Sequence, residues 1–261
     1  MVCFVYSKDV TSSNIASSLK AELGLEEAES FHGMRSFVAD RIRMIEISDA
    51  LVHAESLDGI LDDTAIFLSR HSSSMGIASF TVHAEGNWSS ENPLGGRPKS
   101  LSVSSPVGMI KVLGAIGRMN ISGMGTTYEA THHGPYLDNP SFFVELGGNE
   151  DMMKSVAHAK LIASAIAVSL DEEPEYDKIA VGIGGMHYPE KFTRLALEGK
   201  YAFSHIMPKY HIACIDMLGS AFERSDIGAE IAVIEWKSIK AVGREMIVRE
   251  LNRLGIDYAK V

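Results

Sequence analysis

The chain has 261 residues, of which 46% are hydrophobic and 22% charged, and 34 acidic against 24 basic residues give a net charge of −10. This ordinary globular composition excludes a disordered, collagen-like or coiled-coil chain. The negative balance argues against broad, non-specific binding to nucleic acid but leaves room for a local basic patch. Met1 to Ser7 reads as a short strand, with neither a basic leader nor a small-residue cleavage site. No apolar run nears the roughly 18 to 20 residues that span a bilayer. Cys3 and Cys214 make neither a disulfide framework nor a CxxC zinc site. The expectation is a cytoplasmic protein.

Taken in chain order, apolar runs predict strands at Val2 to Tyr6, Ile42 to Ile47, Ala65 to Leu68 and Ala78 to His83. Glu85 to Ser105 holds Gly86-Asn87, Asn92-Pro93, Gly95-Gly96 and Pro98, which break helix and strand alike. It reads as a small subdomain or lid. A helix runs from Ser105 to Met119 with Pro106 in its first turn, where a missing N–H costs nothing. Tyr128 to His132 and Phe142 to Leu146 are strands. Met152 to Ser169 reads as one helix, with Met152, Val156, Ala159, Ala163 and Ile166 on a single apolar face. Then come a strand at Lys178 to Ile183, a helix from Pro189 to near Gly199, and strands at Tyr201 to Ile206 and Glu230 to Glu235. The last helix runs from Ile239 to Leu254 behind a Ser238 cap and stops at Gly255. Strands alternating with helices, without repeat or linker, make residues 1–261 one α/β domain on a largely parallel or mixed sheet.

Polar chemistry gathers just after the predicted strands, in Ser69-Arg70-His71-Ser72-Ser73-Ser74, His83-Ala84-Glu85-Gly86-Asn87, Glu129-Ala130-Thr131-His132-His133-Gly134-Pro135, Glu145-Leu146-Gly147-Gly148-Asn149 and Gly182-Ile183-Gly184-Gly185-Met186-His187-Tyr188. In open α/β sheets the carboxyl ends of strands form the ligand crevice, so an enzyme site is the leading reading. His132 and His133, at a strand end, are expected to point to opposite faces, so that only one reaches a given site. His83 and Glu85 share a face if their strand continues, which suits a metal ligand or a base with its orienting carboxylate. His32, His53, His158 and His211 read as structural, whereas His71, His83, His133 and His187 read as functional. HExxH, GxSxG and GxxxxGK[ST] are absent. Gly182, Gly184 and Gly185 open like a dinucleotide loop, but His187 replaces the third glycine. What survives is either a row of backbone N–H groups for an oxyanion or a tight turn. Cys214, in an apolar stretch, reads as buried and inert.

These segments, with His205-Ile206-Met207-Pro208-Lys209-Tyr210, resemble the archaeal- and plant-type D-aminoacyl-tRNA deacylases over essentially the full length. EATHHGP followed by GIGGMHY is the most specific part of the match. The resemblance implies hydrolysis of the ester joining a D-amino acid to the terminal ribose of tRNA. It also implies a three-layer, phosphorylase/hydrolase-like α/β/α fold, bound zinc and action as a monomer. Met186 stands where the family usually has a third glycine, and Gly148 where a small hydroxyl residue is expected.

Ester hydrolysis needs an activated water, a stabilised oxyanion and a placed leaving group. Zinc held by His and Glu supplies such a water without any serine or cysteine nucleophile. The expected ligands are His83, His133 and His187, with Glu85 or Glu129 as ligand or general base and His132 beside them. Gly184 and Gly185 are the expected oxyanion donors, and His71 orients the ester or shuttles a proton. Lys191, Arg194, Lys200 and Lys209 flank the His187 and His205 segments and are expected to grip RNA, with Arg97 and Lys99 reaching from the Gly/Pro-rich loop. Arg70 and His205 join the substrate-binding set. The alternatives are a zinc-dependent peptidase or amidase using the same residues on a small substrate, and a non-catalytic binder of a tRNA end.

Overall fold

The protein is described from a computed structural model over residues 2–71 and 76–261. Ser72, Ser73 and Ser74 of the motif after His71 lie outside the described residues. In chain order the elements are β1 (Val2–Ser7), α1 (Val10–Leu23), β2 (Glu26–Phe31), β3 (Met34–Ala39), β4 (Ile42–Ile47), β5 (Thr64–His71) and β6 (Ser79–His83). There follow a short hairpin of β7 (Gly86–Asn87) and β8 (Ser100–Leu101), then α2 (Pro106–Met119), β9 (Gly125–Tyr128), β10 (Ser141–Gly147), α3 (Glu150–Lys154) and α4 (Val156–Ser169). The last are β11 (Lys178–Ile183), α5 (Glu190–Leu197), β12 (Tyr201–Met207), α6 (Leu218–Glu223), β13 (Ile231–Ile234), α7 (Ala241–Leu254) and β14 (Tyr258–Lys260).

The strands form an eight-stranded sheet in the order β2-β3-β4-β1-β5-β10-β6-β9 and a four-stranded sheet in the order β12-β11-β13-β14. The smaller sheet is all parallel; in the larger, β2, β3 and β4 pair antiparallel, as do β10 and β6. The sheets meet edge to edge beyond β9, where the Thr131 N–H donates to the Ile206 carbonyl and the Ile206 N–H donates to Thr131 Oγ1. Helices α1, α4, α2 and α5 cover one face, and α2 packs across the seam against β6, β9 and β12. The second sheet buries Val181, Ile183, Ala232 and Ile234 under α6 and α7 on the other face. This is the mixed, largely parallel three-layer α/β architecture expected. Among the described residues no helix is long and apolar enough to cross a membrane.

Strand alternation decides what each face of the large sheet carries. Ile66, Leu68, Phe80, Val82, Val144 and Leu146 point into the helix-covered core. Their neighbours Ser69, His71, Thr81, His83, Phe143 and Glu145 fall on the opposite face. There Phe67 and Phe143 stack at 4.7 Å and a smaller cluster lies under the turns at residues 51–57. One face thus builds stability, and the other meets polar chemistry.

The elements α1, β2, β3, β7, β8, α6 and β14 lack a counterpart in the sequence expectations. Three expectations change. The strand placed at Tyr128 to His132 ends at Tyr128, and the next residues leave the sheet. The helix placed at Met152 to Ser169 breaks at Ser155, whose extended backbone and hydroxyl cap α4, and Val156 is exposed rather than on an apolar contact face. Ser238 does not cap α7, because its hydroxyl donates to the Glu235 carbonyl and accepts the Gly185 N–H.

Candidate active site

The sheet face opposite the helices forms the floor of a cleft of about 610 Å³, lined in part by His71, His132, His133, Glu145 and His187. β5 delivers His71, β10 delivers Glu145 and β6 delivers His83. Because β6 runs antiparallel to β10, His83 stands opposite Phe143 rather than beyond a common strand end. The site is therefore not the row of carboxyl-end loops that the alternating pattern suggests. It lies partly on the sheet itself. Residues 129–134 run over it after β9, and the loop after β11 brings His187.

Three histidines share one arrangement. Each donates its Nδ1–H to a backbone carbonyl: His83 to Ala84 at 3.2 Å, His132 to Ala130 at 2.9 Å and His133 to Gly134 at 2.6 Å. That fixes the tautomer and leaves Nε2 of neutral His132 and His133 with a free lone pair, the form in which histidine ligates metals. Burial disfavours a charged His83, but Glu145 outweighs it and raises its pKa, so its Nε2 is bare once that proton is displaced. Ligand atoms of these three residues lie within 4.8 Å of one another. Burial, followed by the neighbouring histidines, pushes His132 well below the usual imidazole range and His133 down to about 4, so both are neutral at pH 7.

The carboxylates complete the constellation. Glu129 is buried, with Oε1 at 2.9 Å from His71 Nδ1 and Oε2 at 2.8 Å from His187 Nε2 and 3.6 Å from His132 Nε2. Neither Glu129 oxygen nor His83 Nε2 has a well-aligned hydrogen bond. Close approach without alignment is what donors aimed at a common point display. Glu145 accepts from His71 Nδ1 at 3.2 Å and lies 3.8 Å from His83 Nε2. Burial disfavours a charged His71, but the two carboxylates outweigh it and raise its pKa to about 11. Three overlapping groups of ligand atoms result: His83, His132 and His133; Glu129, His132 and His187; and His71, Glu129 and Glu145. Their imidazole and carboxylate donors are of the kinds that zinc accepts.

Other expected residues are placed differently. His132 and His133 do not diverge: their rings are 4.2 Å apart, because the chain has left the strand and His133 adopts φ 46°. Glu85 lies outside the three groups of converging ligand atoms, where Oε2 accepts from Ser141 and burial raises its pKa to about 8. The Gly184 and Gly185 N–H groups already serve the Met207 carbonyl and Ser238 Oγ, so neither is free for an oxyanion. His205 is sealed in the interior between Thr131 and the Arg224 carbonyl and does not line the cleft. Arg70 lines the cleft with Lys8 and pairs with Asp9 at 3.5 Å. Lys191, Arg194 and Lys209 lie outside it, and Arg194 is turned to Glu198 at 3.4 Å. Lys200, Lys99 and Arg97 are likewise committed to Asp177, Asp216 and Asp58. The Glu85 to Ser105 segment is pinned by the Gly96 N–H to Glu55 and by Asn87 to the Gly95 carbonyl, and Leu94 forms part of the cleft wall.

Glu145 heads one of the polar segments picked out in the sequence but received no role there, although two signals marked it: a carboxylate inside an apolar run, and alternation with Phe143. Lys8, Asp9 and Asp49 also line the cleft unannounced.

A layered α/β fold whose open sheet face holds converging His and Glu side chains defines a hydrolase-type site. The family model for D-aminoacyl-tRNA deacylase matches residues 60–259. The D-aminoacyl-tRNA deacylase of Thermococcus kodakarensis is 33% identical, over 97% of this chain and 96% of its own length. That of Methanosarcina mazei is 36% identical, over 97% and 89%. A solved structure described as a conserved protein of unknown function superposes with a TM-score of 0.90 at 29% identity, over 100% of this chain and 95% of that one. The chain belongs to the D-aminoacyl-tRNA deacylase family, and nothing in these likenesses favours the peptidase alternative.

Proposed function

We propose that the protein hydrolyses the ester between a D-amino acid and the 3′-terminal ribose of tRNA, releasing both, as a cytoplasmic monomer that uses zinc. The observation that carries the chemistry is the set of three histidines locked by backbone carbonyls with bare Nε2 atoms, beside the buried Glu129 carboxylate. His83, His132 and His133 would hold one cation, with Glu129 and His187 beside it. When bound, zinc supplies Lewis-acid polarisation and acidification of water.

The rest falls to the chain's own groups. Glu129, buried and unaligned, accepts a proton from the attacking water. His71 holds a proton on Nδ1 against the two carboxylates and presents Nε2 to the Tyr188 hydroxyl, a path to the departing ribose oxygen. With the glycine N–H groups engaged elsewhere, the oxyanion falls to the donors His71 and Tyr188 rather than to the backbone. Lys8 suits a terminal phosphate, with Arg70 beside it partly turned to Asp9, and Asp49 suits the α-ammonium. Leu51, Val52 and Leu94 form an apolar wall suited to sorting side chains by shape.

The test is hydrolysis of matched D- and L-tyrosyl-tRNA by purified protein, before and after chelation and with zinc added back. Cleavage of the D substrate alone, lost on chelation and restored by zinc, is expected. D-specific cleavage indifferent to chelation would remove zinc from the reading. A folded protein that cleaves neither ester would overturn the function.

A further inference from the structure

The C-terminal part of the chain gathers positive charge away from the cleft. From Trp236 to Val261, six Lys and Arg stand against three Asp and Glu, in a chain of net charge −10. A groove of about 700 Å³ between α7 and β14 is lined by Trp236, Arg244, Arg249, Asn252, Tyr258 and Lys260, with Glu245 its acidic residue. Lys260 Nζ sits 3.9 Å from the centre of the Trp236 ring and Arg244 Cζ 5.2 Å from it, while Arg244 Nε donates to the Trp236 carbonyl at 2.9 Å. The indole thus holds two long side chains in place without neutralising them. Among the described residues, none of Lys237, Lys240, Arg244, Arg249 and Lys260 has a salt-bridge partner. Arg194, Lys200 and Lys99, by contrast, spend their charge on Glu198, Asp177 and Asp216.

The groove is tied to the cleft through the loop after β11 that carries His187. Lys260 is level with Ile234, and Ile234 with Ile183, the last residue before the loop that carries His187. Two strand spacings, roughly 10 Å, separate Lys260's strand from that loop's strand. The Trp236 turn also touches the loop directly, since Ser238 Oγ accepts the Gly185 N–H at 2.9 Å. Through His187 the cleft thus borders the same strand ends of the second sheet from which Trp236 and Lys260 reach the groove.

We propose that this groove docks the phosphate backbone of the acceptor arm of the substrate tRNA, an inference that rests on the deacylase reading above. The ester at the RNA's 3′ end occupies the cleft while the adjoining helix lies along Lys260, Arg244 and Arg249. Phosphate contacts of this kind position RNA without reading its sequence, which suits an enzyme whose substrates share only their aminoacyl end. They also explain how a strongly acidic protein grips a polyanion: the attraction is local.

The test is fluorescence-anisotropy binding of uncharged tRNA across a salt series, for the wild type and for Lys260→Glu, Arg249→Glu and Lys260→Arg. Each charge reversal is expected to weaken binding about three- to tenfold and to lower the salt slope by about one per lost contact. Lys260→Arg is expected to retain wild-type affinity. Unchanged affinity and slope in both reversal variants would overturn the proposal and leave the groove to another occupant, such as a protein. Arg249 is exposed, so its reversal carries the test even if Lys260→Glu fails to fold. Uncharged tRNA is not turned over, so the two readings fail separately. A protein that binds through the groove yet cleaves neither ester loses the catalytic reading alone, whereas one that cleaves D-esters with unaltered groove variants loses the groove alone.

Discussion

Glu145 shows how a buried carboxylate is defined by what it orients. It touches both His71 and His83 from the centre of the large sheet, so it links two of the three ligand groups. Glu145→Gln keeps the shape but removes the charge that steadies both rings. Residues that orient metal ligands typically cost about 10- to 100-fold when changed. We expect a loss of D-tyrosyl-tRNA hydrolysis of that order, read together with zinc content by mass spectrometry and with an unchanged circular-dichroism spectrum. His205 makes the opposite case. Burial, only partly offset by the Arg224 carbonyl, pulls its pKa down to about 4, so the folded protein holds it neutral. The unfolded chain takes up that proton near the ordinary value of about 6.5. The unfolded state therefore binds more protons between about pH 4 and 6.5, and stability must fall as pH drops through that window. The full effect approaches about 3 kcal/mol. Denaturant titrations from pH 4 to 7 should show this slope in the wild type and a slope shallower by up to one proton in His205→Gln, which keeps a donor near Nε2, the remainder coming from His132 and His133, which are also held neutral. The histidines at the centre were legible as chemistry because they cluster in sequence beside glycines. Their directions were not, because His133 adopts a left-handed conformation that no run of residue types announces.

Elements were legible where their signals were local and strong. The β1, β4 and β11 runs stand within a residue of where their apolar residues place them. Helix α1 was missed because its serines dilute the apolar stripe of Ile15, Ala16 and Leu19. Its ends are nonetheless marked, by Asp9 accepting from the Thr11 N–H and by Gly24 at φ 63°. The β2–β3 hairpin turns on His32-Gly33 with φ values of 48° and 82°, a two-residue signal hidden between strands that carry four glutamates and arginines rather than an apolar run. The segment over the cleft is the element most exposed to a single change. A Cβ on Gly95 would lie 1.9 Å from the Val52 carbonyl oxygen, and the residue's φ of 73° is itself unfavourable for alanine. Gly95→Ala must move the loop that carries Leu94 away from residues 51–57. A destabilisation of about 1 to 3 kcal/mol is expected in a denaturant melt, with a raised KM for the D-aminoacyl ester.

At the scale of the whole molecule, the edges of the large sheet are treated unequally. β9 hands its edge on to β12 through Thr131 and Ile206, so that side is closed within the chain. The other side ends in β2, whose outer row of backbone N–H and C=O groups has no neighbour among the sheet's strands. Along it stand Glu26, Glu27 and Glu29, all exposed. Such an edge is a template for pairing with a second copy, and a line of like charges is what forbids it. Glu27 is paired with Arg35 at 2.7 Å, so Glu26 and Glu29 carry the unpaired charge along this edge. When acid protonates them, or when Glu26 and Glu29 are replaced by threonine, light scattering should report edge-to-edge aggregation in concentrated solutions that remain clear at pH 7.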